Sequence, residues 1–210
     1  GVARHSGVQL RASCEALTGS PIPSESLMPL PPPTALRTRM HVRNVQLDGY
    51  KRDDGCWDIE ARLVDVKDHD YPLSSGLRLQ GEAVHEMWVR VTIDYQMNIL
   101  DAAASIDAMP YVGYCDRIVP DYAQLIGLNL FHGFRTAVKN LFRSTHGCSH
   151  LSELVMFLPT AALQTFASDV RDNDDSGHKP YQLDRCHALE SHSDAVQRFY
   201  PRWYRGQKPG

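Results

Sequence analysis

Residues 83–107 alternate apolar and polar side chains in two runs with a short loop between them. No other pattern in the chain leaves so few ways to fold. In 83–93, Ala83, His85, Met87, Val89, Val91 and Ile93 share one parity, and Val84, Glu86, Trp88, Arg90, Thr92 and Asp94 share the other. In 99–107 the apolar parity is Leu100, Ala102, Ala104 and Ile106. A period of two belongs to a half-buried strand, and two such runs joined at Gln96-Met97 predict an antiparallel hairpin. Register follows from placing both apolar sets on one face. It sets Ile93 opposite Leu100, Val91 opposite Ala102, Val89 opposite Ala104 and Met87 opposite Ile106. The same register puts Glu86 opposite Asp107 and leaves His85 at the end of the apolar row.

A second pair precedes it. Residues 38–48 carry Met40, Val42, Val45 and Leu47, with a slip of phase near Arg43-Asn44 that predicts a bulge. Gly49 to Gly55 is a polar turn. Residues 56–66 alternate again, with Trp57, Ile59, Ala61 and Leu63 on one face and Asp58, Glu60 and Arg62 on the other. Residues 67–81, with Pro72 and Gly76, read as a loop. Helical spacing follows. A short helix is expected over 120–126, opening at Pro120. Another spans 134–143 on Phe134, Val138, Leu141 and Phe142, ended by a left-handed Gly147. The next carries Leu151, Val155, Leu158, Ala162 and Phe166, with Pro159 kinking or splitting it. Residues 169–180 form a polar loop, and 183–204 a last segment. Two hairpins followed by helices predict an α+β domain, an antiparallel sheet with helices packed on one face.

That domain is expected over 37–205. Residues 1–36 read as a tail, because Pro21, Pro23, Pro29 and Pro31-Pro32-Pro33 interrupt both helix and ladder. Residues 206–210 form a C-terminal tail. Leu27, Met28 and Leu30 can still pack on the body or on a second subunit, so a homodimer is a possible assembly.

Composition narrows the function. A chain of 210 residues that is 42% hydrophobic buries one good core. A net charge of -3 with dispersed basic residues gives nucleic acid no electrostatic footing. No apolar run approaches the roughly 20 residues a membrane helix needs, and the first residues lack the pattern of a secretory signal. The five cysteines, at 14, 56, 115, 148 and 186, are odd in number and form no CxxC pair. A disulfide framework is not expected, which points to a reducing, cytoplasmic setting. Of ten histidines, His5, His41, His69 and His132 read as loop or surface residues.

The chemistry concentrates in His146-Gly147-Cys148-Ser149-His150-Leu151-Ser152-Glu153. If a helix starts near Ser149, Cys148 lies at its N-terminal end, where free amides favour a thiolate. His150 and Glu153, three residues apart, share a helix face, so one can orient the other. The plain alternative is a small buried Cys148 and a packing His150. A histidine on an apolar strand face is costly unless satisfied, so His85 is either a bonded core residue or the wall of a pocket. Glu86 with Asp107 would raise one carboxyl pKa or recruit a cation, unless Arg90 or solvent neutralises them. Trp88, Tyr111, Tyr114, Tyr122, Tyr200 and Trp203 can line a pocket for an aromatic ligand or simply pack. Cys115 and Cys186-His187 add ligand types that zinc accepts, at spacings matching no strong zinc template.

The joint occurrence of His85-Glu86-Met87-Trp88, Asp107-Ala108-Met109-Pro110-Tyr111, Gly147-Cys148-Ser149-His150-Leu151, Cys186-His187-Ala188 and Pro201-Arg202-Trp203-Tyr204 resembles a bacterial family of domains of unknown function. The resemblance covers roughly 37–205. Ser149 stands where Thr is usual, and Arg185 where Gly is usual. It implies an enzyme of aromatic-compound catabolism, a lyase acting on plant- or lignin-derived molecules. A second resemblance, to iron–sulfur scaffold proteins, implies metal ligation by Cys115, His146 and Cys148.

The leading expectation is therefore a cytoplasmic enzyme on a small aromatic substrate, using acid–base chemistry of the lyase type, with hydrolase second. His85, Glu86, Cys148 and His150 are the expected catalytic residues. Trp88, Asp107, Tyr111 and Glu153 are the expected substrate contacts. The alternative is a metal or iron–sulfur scaffold on Cys115, Cys148 and His150. The expected cofactor is accordingly none or a transition metal. No Gly-rich phosphate loop follows a strand, so neither nicotinamide nor ATP is expected.

Overall fold

The computed structural model describes residues 30–167 and 177–206. Tail residues 1–29, Cys14, Leu27 and Met28 among them, lie outside that range, as does most of the 169–180 loop. Leu30–Thr38 form neither strand nor helix. The compact unit that carries the sheet spans Arg39–Gly210.

Four long strands make one antiparallel sheet in the order β1-β2-β5-β6. They are β1 (His41–Lys51), β2 (Trp57–Lys67), β5 (Ala83–Ile93) and β6 (Ile99–Ala108). The expected 67–81 loop holds a two-stranded ribbon, β3 (Tyr71–Leu73) and β4 (Gly76–Arg78). Helices α1 (Phe134–Leu141), α2 (Ser149–Val155) and α3 (Leu158–Phe166) follow, and α4 (Asp194–Phe199) lies near the C-terminus. The protein is thus α+β, as the order of patterns predicts.

The core lies between one sheet face and the helices. Ile59, Ala61 and Leu63 of β2, Met87, Val89 and Val91 of β5, and Leu151, Val155, Leu158, Ala162 and Phe166 of α2 and α3 are all buried in one cluster. Pro159 splits that stripe into two helices and occupies the first turn of α3, where its missing N–H costs no hydrogen bond. A smaller cluster of Leu183, Val196 and Tyr200 holds the C-terminal segment together.

Several expectations need correction. Val91, Val89 and Met87 pair with Ala102, Ala104 and Ile106 as the pattern demands, but Ile93 pairs with Ile99. Leu100 is the extra residue of a bulge and is 50% exposed, whereas Ile99 is 1% exposed. A second bulge makes Asp107 extra, so Glu86 faces Ala108 and the expected carboxylate pair does not form. β1 pairs with β2 without interruption from His41 to Lys51, and Arg43-Asn44 is no bulge. The apparent slip arises because Arg43 occupies an inward position and meets a charge there. The helix expected at 120–126 is a 3-10 segment over Cys115–Leu125 with Pro120 inside it. Gly147 is extended, with φ near -154°, rather than left-handed. A side chain there would put its Cβ 2.5 Å from Phe142 Cβ, so the glycine serves close approach.

Candidate functional site

The inward parity of β2 continues past Leu63 to Asp65, a carboxylate whose side chain is 4% exposed. A charge taken out of water must be compensated, and the register supplies the means. Arg43, Asp65 and His85 are direct partners across β1, β2 and β5, and so stand in one row on the helix-bearing face. Arg43 donates to Asp65 through two nitrogens, Nε to Oδ1 at 2.8 Å and Nη2 to Oδ2 at 2.9 Å. His41 Nε2 lies 2.9 Å from Oδ1, and His85 Nδ1 lies 3.1 Å from Oδ2. Both rings donate if the carboxylate is ionised. His41 is thus an exposed strand residue on Asp65, a surface histidine as expected but not in a loop.

Helix α2 closes the site from above. The His150 ring lies against that of His85, centroids 3.9 Å apart, and its Nε2 is 3.7 Å from Asp65 Oδ2. Its Nδ1 points the other way, 4.0 Å from Cys148 Sγ, which also lies 4.0 Å from Met87 Sδ. Glu153, one turn along α2, accepts from Arg43 Nη1 at 2.8 Å. Its partner is therefore the arginine behind Asp65. Tyr122 fixes the start of the helix. Its hydroxyl accepts from the Cys148 N–H, donates to the Cys148 carbonyl, and lies 2.9 Å from Ser152 Oγ. Burial pushes the Tyr122 phenol up to about 12, so it stays protonated.

Burial alone would raise the Asp65 carboxyl pKa, but hydrogen bonds from Arg43 and His41 outweigh it and hold the group at about 2. Burial, and then the charge of His150, push His85 below the ordinary histidine value, with Asp65 opposing. Burial and Arg43 do the same to His150. At neutral pH the pair is uncharged beside a fixed carboxylate. The oxygen of Asp65 and a ring nitrogen from each of His85 and His150 lie within 4.8 Å of one another. Among the described residues no other group of three or more His, Cys, Asp or Glu converges in this way. Neutral imidazoles and an ionised carboxylate can exchange protons or hold a cation.

Most of the chain that builds this site, residues 41–164, matches the sequence model of DUF2889, described as a protein of unknown function. The chain belongs to the DUF2889 family. The DUF2889 match runs from β1 into α3 and includes Arg43, Asp65, His85, Cys148, His150 and Glu153, while Cys186-His187 lies beyond it. No curated protein and no solved structure matches the chain.

The structure brings His85, Cys148, His150 and Glu153 of this DUF2889 chain to one seam. It does not bring in the others. Glu86 and Trp88 have the opposite strand parity from His85 and lie on the other sheet face. There Glu86 accepts from Arg62, and Trp88 Nε1 donates to Asp107 at 3.0 Å. Tyr111 is 48% exposed on the turn before the 3-10 segment. Cys115 does not join Cys148 and His150 in a ligand cluster, and His146, Cys186 and His187 are exposed. Sequence reasoning missed Asp65, Arg43 and His41. The available signal was a lone aspartate on the buried parity of β2, which requires a cation opposite.

Proposed function

We propose that this chain is an enzyme acting on a small aromatic molecule by acid–base chemistry of the lyase type. The observation that carries the reading is the Asp65–His85 pair stacked against His150. With Nδ1 of His85 committed to a buried carboxylate, Nε2 is the atom left to take and return a proton. His150, between Asp65 and Cys148, is placed to pass a proton to or from the thiol. The aromatic, plant- or lignin-derived substrate is the part of this proposal that the family resemblance implies. A reducing, cytoplasmic setting is supported by Cys56, Cys115, Cys148 and Cys186 all being free thiols. No helix among the described residues is long and apolar enough to cross a membrane.

The test is turnover of aromatic monomers and lignin-type dimers, followed by chromatography. Wild type is expected to convert at least one. His85→Ala is expected to lose about a hundredfold or more in kcat, the usual worth of a positioned acid or base. Equal rates in the variant would overturn the assignment.

One observation favours a second reading. Two imidazoles and a carboxylate within 4.8 Å of one another are a ligand set that first-row transition metals accept. Arg43 and His41 would hold the carboxylate from behind, as outer partners do in metal sites. These ligands replace the Cys115, Cys148 and His150 set. Elemental analysis of protein purified without added metal decides between the readings. One transition metal per chain, lost in His150→Ala, supports ligation, and none supports metal-free acid–base chemistry.

A further inference from the structure

Away from the Asp65 seam, two cavities open between the helices and the C-terminal segment. One, of about 330 Å³, is walled by the start of α1 and by Phe131, Pro159 and Thr160. The other, of about 750 Å³, is walled by Leu47 and Gly49 of β1, by α3, and by Cys186 and Leu189. They meet at Thr160, Leu163 and Arg185, which line both. Each has the size of a small-molecule site. None of the described residues that line them is acidic, in a chain with more acidic than basic residues. Two are arginines, Arg135 and Arg185. The Arg185 guanidinium lies over the Phe131 ring, 5.1 Å from its centroid, and is held where the cavities join.

We infer that this double cavity is a second binding site, for an amphipathic organic acid. Its carboxylate would sit at Arg185 and Arg135, and its apolar body along Leu163, Leu47 and Leu189. Guanidinium favours carboxylate because its planar fork matches both oxygens. The apolar wall then selects acids with a sizeable hydrocarbon body over acetate-like anions. The site gives the Cys186 segment a role that the Asp65 seam does not. It is also built partly from residues beyond the stretch matched to the family.

2-Naphthoate titrated by calorimetry into the full chain tests this, with neutral 2-naphthamide as the comparison ligand. The exposed thiol of Cys186 serves as a local reporter, through its rate of alkylation by iodoacetamide read by mass spectrometry. Wild type is expected to bind naphthoate about tenfold or more tighter than the amide, the usual worth of a charge-assisted contact. Bound naphthoate is expected to slow alkylation of Cys186 several-fold and leave that of Cys56 unchanged. Arg185→Gln is expected to remove the preference for the acid, and Arg135→Gln to reduce it. His85→Ala is expected to bind like wild type, which separates this site from the proposed catalytic one. No binding up to millimolar naphthoate, a preference that survives Arg185→Gln, or no protection of Cys186 would each overturn the inference.

Discussion

Asp65 is the residue on which the site turns. It is buried, ionised and bonded from three sides by Arg43, His41 and His85. Removing one partner of such a set costs far more than the pair contributes, because the rest remain desolvated. Asp65→Asn is expected to lower stability by about 2–4 kcal/mol, read as a urea midpoint shift with an unchanged slope. The pH dependence has a definite sign. His85 and His150 are held below their ordinary value when folded, so the unfolded chain takes up protons first as pH falls past about 6.5. Stability is expected to fall from pH 7 to pH 5. The Asp65 contribution persists above its unfolded value near 4 and is lost as pH approaches about 2. Urea midpoints measured at intervals from pH 8 to pH 2 give both limbs. The His85→Gln, His150→Gln double variant is expected to flatten the first, and an unaltered limb would assign it to other groups.

At the scale of elements, β5 and β6 were legible because alternation survives between the two bulges. The two register failures between β5 and β6 share one cause. A bulge shifts parity by one residue without changing composition, so Ile99-Leu100 reads equally well either way, and the structure buries Ile99. Ile99→Ala is therefore expected to cost about 2–4 kcal/mol and Leu100→Ala under about 0.5 kcal/mol in equilibrium unfolding. Reversed values would restore the register read from pattern alone. Arg43 was misread for a related reason. A charged residue at an inward position looks like a slip of phase unless its partner, Asp65, is known to face it. His150 and Cys148 were legible because residue type alone marks them, whereas their meeting with His85 depends on how α2 lies on the sheet. Gly49 shows how tightly the layers fit. A Cβ there would fall 1.8 Å from Thr165 Oγ1 and 2.7 Å from Thr165 Cβ. Gly49→Ala is expected to cost about 1–3 kcal/mol in thermal or urea unfolding, with Thr165→Ala relieving only part of it.

Over the whole molecule, the two sheet faces carry opposite kinds of electrostatics. On the face away from the helices, Arg90 lies 3.7 Å from Glu60, both partly exposed. Water and salt screen such a pair. Arg90→Gln is expected to change stability by under about 0.5 kcal/mol, in contrast with Asp65→Asn on the other face, and a loss above 1 kcal/mol would contradict that division.

The stacked imidazoles come from different layers, His85 from β5 and His150 from α2. Neither layer owns the site, so it exists only while the two are docked. Any loosening of α2 parts the rings before the sheet itself gives way, and function would fade ahead of the fold. A cation held between them would work in the opposite sense. It would act as a clasp from strand to helix, fastening the two layers along the line where they meet.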